Sequence, residues 1–187
     1  MNSDFPIVID ANVLMQAAVR DTLLRLAERR MFLCRWSEDI IAEVRRNLIA
    51  KMNLPTEKVD FLLGELHAHF PDAWVDAGYK ILIPAMPNDE KDRHIVAAAV
   101  KCGAEVILTY NLKHFPDEQL KPLGIAAKTP DEYLVDLYGI NPELIVHTLH
   151  QQGAELKKPL SIQEVLESLQ TCRCVAFVEL IRNELDL

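Results

Sequence analysis

Asp10 follows a short β-branched run, Ile7-Val8-Ile9, and further acids stand far along the chain at Glu43, Asp89 and Asp92. One carboxylate says little, but carboxylates from separate elements that converge can hold a divalent cation. Crowded carboxylates repel one another and raise their own pKa values, and a hard cation removes that repulsion. Mg²⁺ takes one or two carboxylates, keeps several waters and binds substrate phosphate, which suits a centre built from Asp10, Glu43 and Asp92. Such an ion activates water and stabilises the leaving oxygen in phosphodiester hydrolysis.

Each acid also has an ordinary reading. Ile7-Val8-Ile9 has the pattern of a strand buried on both faces of a parallel sheet, so Asp10 sits where the chain leaves that sheet. Ligands of open α/β sheets bind outside the carboxyl ends of the strands, yet Asp is equally a favoured N-cap for a helix beginning at Ala11. Glu43 lies between Ile40 and Val44, on or beside an apolar stripe, an odd place for a solvated charge. Its alternative is a surface pairing with Arg46 or Asn47. Asp89 is well explained as an N-cap, with the helix dipole favouring an acid in the first turn. Asp92 is explained less well, because it leans toward the apolar Ile95 and Val96.

The elements that must position these acids alternate between strand and helix. Val13 to Arg30 is predicted as one or two amphipathic helices broken near Asp21, and Met31 to Cys34 as a strand. Ser37 caps a helix running through Lys51, and another helix follows Pro55 and ends before Phe70-Pro71. Tyr79-Lys80-Ile81-Leu82-Ile83 is predicted as a short extended segment. The run Asn88 to Asp92 opens a helix through Val100 that stops at Gly103. Glu105 to Thr109 and Ile125 to Ala127 are predicted strands, and Thr129-Pro130-Asp131-Glu132 is a capping box with proline at the first helical position. This alternation predicts a parallel sheet between layers of helices. From Asn141 the texture turns wholly helical: one helix to about Gln152, a linker at Lys157-Lys158-Pro159, and a second capping box at Ser161-Ile162-Gln163-Glu164.

Composition sets bounds. At 187 residues with 50% hydrophobic positions, the chain can bury one substantial core and a small appendage. No stretch reaches the ~18 apolar residues of a membrane span. Met1-Asn2-Ser3-Asp4 shows no secretory signal, and Cys34, Cys102, Cys172 and Cys174 form no CxxC pair, so a cytoplasmic, reduced setting is expected. A net charge of −8 argues against gripping nucleic acid by bulk electrostatics, although the first third is rich in arginine. His67 with His69, and His147 with His150, lack Cys or acid partners at zinc spacing. Cys172 and Cys174 read as packing. Trp36 and Trp74 are too isolated for a stacking platform, and six glycines without G-x-x-x-x-G-K exclude a P-loop.

The ordered set of Ile7 to Leu14, the Ser37 helix bearing Glu43, Asn88-Asp89-Glu90-Lys91-Asp92-Arg93-His94 before an Ala-rich helix, and Val106 to Phe115 resembles PIN-domain ribonucleases throughout residues 5 to 138. The tail resembles the helical extension of a subset of VapC-type toxins of bacterial toxin-antitoxin pairs. The resemblance implies a PIN-like three-layer α/β/α domain over residues 1–138, with a central parallel sheet, and an all-helical extension over residues 139–187. It implies a Mg²⁺- or Mn²⁺-dependent endoribonuclease whose core acids and metal ligands are Asp10, Glu43 and Asp92. Family members often carry a fourth acid just after the strand that ends at Thr109. This chain offers Asn111 there, with Lys113, His114 and Asp117 nearby, which leaves a second metal position in question. Asn12, Asp89 and Thr109 are supporting candidates, and Arg45, Arg46 and Lys113 are candidate RNA contacts. The implied partners are RNA, a cognate antitoxin and a second copy of the chain. Two other readings stay open: a phosphoryl-transfer enzyme with Asp10 as nucleophile, and a catalytically silent binding module.

Overall fold

The computed structural model describes residues 5–187. The expectation concerning Met1 to Asp4 lies outside the described residues. In chain order the strands and helices are β1 (Pro6–Ile9), α1 (Ala11–Leu14), α2 (Ala17–Glu28), β2 (Leu33–Arg35), α3 (Glu38–Ala50), α4 (Thr56–His69), α5 (Arg93–Cys102), β3 (Val106–Leu108), α6 (Asp117–Leu120), β4 (Ala126–Lys128), α7 (Pro130–Ile140), α8 (Pro142–Ala154), α9 (Ile162–Thr171) and α10 (Val175–Glu184). The strands form one parallel sheet in the order β2-β1-β3-β4. Parallel neighbours need crossover connections, and helices supply them here, which is why the interior strands read as unbroken apolar runs. Ile7, Val8, Ile9, Ile107 and Leu108 are accordingly buried, and α5 packs against β1 and β3.

Local chemistry fixes the helix ends. Ser37 Oγ accepts from the Ile40 amide at 3.3 Å to start α3. Thr129 with Glu132, and Ser161 with Glu164, close reciprocal capping boxes at α7 and α9. Gly103 ends α5 in the left-handed region at φ 67°, where a Cβ is disfavoured.

Several predicted elements differ from what forms; the helix expected to open over Asn88 to Asp92 begins at Arg93, after a 3₁₀ turn at Glu90–Asp92. Tyr79 to Ile83 is not extended: it lies in two consecutive 3₁₀ turns, Ala77–Ile81 and Ile83–Ala85. Asp76 caps the first by accepting from the Gly78 amide, and Pro84 sits in the second. Tyr79 is fully buried, and its hydroxyl donates to Asp39 Oδ2 at 2.6 Å, so tertiary contact overrides a strand-like composition. The helix break falls at Met15-Gln16 rather than near Asp21, where Arg20 Nη1 donates to the Leu14 carbonyl at 2.6 Å. The second strand lies at Leu33–Arg35, beginning two residues and ending one residue later than predicted.

The C-terminal helices are built onto the sheet domain. Helix α8 packs on α2, where buried Gln152 accepts from Thr22 Oγ1 at 2.7 Å and donates to the Ala18 carbonyl at 3.1 Å. Helix α10 packs on α7, and Asp131 of α7 accepts from the Phe177 amide at 2.8 Å and the Ala176 amide at 3.2 Å. Leu149, Leu166, Leu169, Phe177, Val178 and Ile181 are fully buried beneath these helices. Gly153 lets the Leu160 backbone come close, and that approach holds the linker against α8. A Cβ at position 153 collides with the Leu160 carbonyl oxygen and meets Val165 Cγ2 at 3.1 Å. Gly153→Ala is therefore expected to lower stability by about 1–2 kcal/mol, read as an earlier urea midpoint at unchanged slope. An unchanged midpoint would show the linker free to move aside. No helix among the described residues is long and apolar enough to cross a membrane.

Candidate active site

The register pairs Ile9 with Leu108, so Asp10 and Thr109 leave the sheet side by side at the carboxyl ends of β1 and β3. The Asp10 amide donates to the Leu108 carbonyl at 3.0 Å. Thr109 Oγ1 donates to Asp10 Oδ2 at 2.6 Å, and Asn12 Nδ2 reaches the same oxygen at 2.6 Å. Asn12 Nδ2 also lies 3.1 Å from Thr109 Oγ1, while Asn12 Oδ1 accepts from the Tyr110 amide at 3.1 Å. Thr109 Oγ1 accepts from the Asn111 amide at 3.0 Å. The Asp10 side chain also accepts from the Asn12 amide at 3.4 Å, so it caps α1 as well as facing the site.

Burial lifts the Asp10 carboxyl to about 6. The Thr109 hydrogen bond opposes that rise, while the negative charges of Glu43 and Asp92 add to it. Asp10 is thus close enough to both other sequence-predicted acids to feel their charge. Glu43 is half-buried on α3, with Oε1 accepting from Asn47 Nδ2 at 3.2 Å and Oε2 4.0 Å from His94 Nε2. His94 Nδ1 is 3.0 Å from the Lys91 carbonyl, which only accepts, so Nδ1 carries a proton. His94 Nε2 is then a buried ring nitrogen with no hydrogen-bond partner, aimed toward Glu43.

Asp92 ends a 3₁₀ turn, Glu90–Asp92, and Asp89 caps that turn by accepting from the Lys91 amide at 3.1 Å. Asp92 Oδ2 is 2.5 Å from His114 Nδ1, on the 3₁₀ turn Leu112–His114 that follows β3. Asn111 Nδ2 lies 2.7 Å from the same ring nitrogen. One nitrogen cannot satisfy a carboxylate and an amide donor together, so Nδ1–H donates to Asp92 and the Asn111 amide presents its oxygen. Asn88, 3% exposed, supports this turn through Nδ2 to the His114 carbonyl at 3.5 Å.

Among the described residues, Asp89, Asp92 and His114 bring their ligand atoms within 4.8 Å of one another. Asp10 and Glu43 stand outside that group, and Asp10 feels the charge of both Glu43 and Asp92. Two carboxylates and an imidazole beside a third carboxyl, raised by burial and then by neighbouring negative charge, form a donor set that fits a divalent cation. His114 and His94 are site residues that spacing did not single out. The signals present were His94 directly after the acid run and His114 within the post-strand segment. Of the cation candidates, Arg46 lines a cavity with Glu43 and His94, and Lys113 is exposed on the His114 turn. Arg45 instead grips both oxygens of Asp60 on α4, at 2.7 and 3.2 Å.

Asp10 thus stands at the carboxyl end of β1 in a four-stranded parallel sheet, with Glu43 brought in by α3 and Asp92 by a 3₁₀ turn, at the end of the sheet where open α/β folds bind ligands. Residues 6–113 match the family model of the PIN domain, which spans more than half of the chain, and the chain belongs to the PIN-domain family. Residues 130–183, beginning with the first residue of α7, match the model of the VapC50 C-terminal domain. The chain is 61% identical over 95 residues to a protein of Mycobacterium tuberculosis (strain ATCC 25618 / H37Rv) whose name proposes a ribonuclease, VapC50. That match covers 49% of this chain and 55% of the relative, so the chain spans about half the length of the curated relative. No solved structure matches the chain.

Proposed function

We propose that the chain is an endoribonuclease dependent on Mg²⁺ or Mn²⁺ and the toxin of a toxin-antitoxin pair, with residues 1–138 as the nuclease domain and 139–187 as a helical extension. The observation that carries this reading is the Asp10 carboxyl, buried at a strand end and raised to about 6 with Glu43 and Asp92 contributing. Its catalytic set is Asp10, Glu43, Asp92 and Asn111, with Asn12, Asp89 and Thr109 in support. A cytoplasmic setting, an antitoxin partner and a homodimer belong to the same proposal.

Asp10, Glu43 and Asp92 would hold the cation, with Asp89 and His114 near enough to Asp92 to share in it. When bound, the cation activates water and offsets negative charge on the phosphodiester. Thr109 and Asn12 fix the Asp10 carboxylate through the bonds to Oδ2, so its orientation is set before substrate arrives. His114 does the same for Asp92, and Asn111 steadies His114. His94 Nε2, bare and facing Glu43, is placed to accept a proton from a water held there. Arg46 and Lys113 meet RNA phosphate, with Arg45 contributing where it can be shared with Asp60. The nucleophile alternative is disfavoured because Asn12, which donates to Asp10, stands where that chemistry usually places a second acid.

The test combines cleavage and stability. With EDTA present, single-stranded RNA should stay intact, and Mg²⁺ or Mn²⁺ should restore cleavage. At a cation concentration tenfold above Kd, the melting temperature should rise by about 3–6 °C, from RT ln(1 + [L]/Kd) of about 1.4 kcal/mol. Cleavage undiminished in EDTA would remove the metal from the reading. Intact RNA with every cation would remove the ribonuclease.

A further inference from the structure

The loop between α9 and α10 brings the helical extension to the acid centre. The Tyr110 hydroxyl donates to the Cys172 carbonyl at 2.8 Å, and Cys172 Sγ lies 3.8 Å from Gln16 Oε1. Between these groups opens a cavity of about 330 Å³, lined by Asn12, Gln16, Tyr110, Thr171, Cys172 and Arg173. Asn12 is the residue that donates to Asp10 Oδ2, so one side chain separates this cavity from Asp10.

Arg173 is exposed at the rim, and among the described residues no carboxylate lies within ion-pair distance of it. Arg25, by contrast, is committed to Asp21 and Glu155, Arg45 to Asp60, and Arg29 to Gln151, while Arg46 is left as open as Arg173. The charge of Arg173 reaches Tyr110, where it opposes the rise that burial imposes on the phenol.

The backbone does not call for arginine here. Arg173 follows the C-cap of α9 at φ 67°, its amide donating to the Gln170 carbonyl at 3.0 Å and the next amide, of Cys174, to the Leu169 carbonyl at 3.1 Å. This is the Schellman pattern, whose left-handed position glycine fills by default. Folding alone favours glycine at 173, although Arg30 after α2 holds the same left-handed position, so the case for Arg173 rests on the cavity it lines.

We infer that Arg173 is an RNA-binding residue, holding a phosphate beside the scissile one, so that the helical extension completes the substrate track of the nuclease domain. A planar guanidinium suits bidentate phosphate contact. Arg46 shares a cavity with Glu43 and Arg173 one with Asn12, so each cavity that borders the site carries a cation that offsets the acids' repulsion of RNA. The inference rests on the ribonuclease reading.

The full-length chain carrying Arg173→Gly separates binding from folding, because the substitution suits the backbone while removing the cation. On a fluorescent single-stranded RNA it should raise KM about tenfold and leave kcat within about twofold, the loss of one charge-assisted contact. The slope of log KM against log salt should fall by about 0.7, one phosphate contact fewer on a single strand. The melting temperature should hold or rise, and Arg173→Lys should recover most of the affinity. Unchanged KM and salt slope in a variant whose parent cleaves RNA would overturn the inference, as would a loss confined to kcat. A parent that cleaves no RNA with any cation is the distinct failure of the ribonuclease reading, and the inference falls with it.

Discussion

Asp92→Asn is expected to reduce RNA cleavage by about a thousandfold or more while leaving the fold intact. The substitution keeps the shape of the side chain and removes one negative charge. That charge is one of the contributors to the raised Asp10 carboxyl, and it receives the His114 Nδ1 proton at 2.5 Å. An amide is a poor ligand for a hard cation, so affinity for the ion falls along with the rate. Stability should not fall, because the variant relieves repulsion among Asp10, Glu43 and Asp92 and sits outside the hydrophobic core. Initial rates, melting curves and growth on expression without an antitoxin read the three consequences together. A variant that cleaves RNA and slows growth as the parent does would end the proposed mechanism.

Thr109→Val is expected to cost about 2–4 kcal/mol of stability and to slow cleavage by about tenfold to a hundredfold. Thr109 is fully buried and its hydroxyl joins three partners: it donates to Asp10 Oδ2, accepts from the Asn111 amide and lies within bonding distance of Asn12 Nδ2. Valine fills the same space without the oxygen, which leaves a buried carboxylate short of a donor and a buried amide without an acceptor. Because the Thr109 bond opposes the rise of the Asp10 carboxyl, its loss leaves that group harder to ionise before a cation binds. Thr109→Ser keeps the oxygen and should restore most of both quantities. Urea unfolding and initial rates on the pair decide the matter: a valine variant equal to the parent in both would show the hydroxyl to be idle.

Much of the fold was legible because local signals and burial agree. Ile7-Val8-Ile9 reads as a two-sided strand and is one, and Ser37, Thr129 and Ser161 cap helices where their spacing to the next amides says they should. Tyr79 to Ile83 misled because a β-branched and aromatic run also suits a buried 3₁₀ segment. The difference was made by Asp76, Pro84 and the Tyr79–Asp39 bond. The proximity of Asp10, Glu43 and Asp92 could be argued from strand ends and apolar stripes. His114 could not, since its contact with Asp92 depends on two 3₁₀ turns meeting across 22 residues of sequence. Arg173 was beyond reach for the same reason: only the docking of the extension brings a loop from the far end of the chain to Asn12.

The strand order also sets when the centre can exist. Asp10 lies near the start of the chain, but the backbone and side-chain bonds that orient it come from Leu108 and Thr109, and Arg173 comes later still. Parallel pairing of β1 with β3 closes a loop of nearly a hundred residues, the kind of non-local contact that forms late. A nascent chain therefore carries Asp10 through the synthesis of everything up to Thr109 without the partners that orient it, and Arg173 joins only after that.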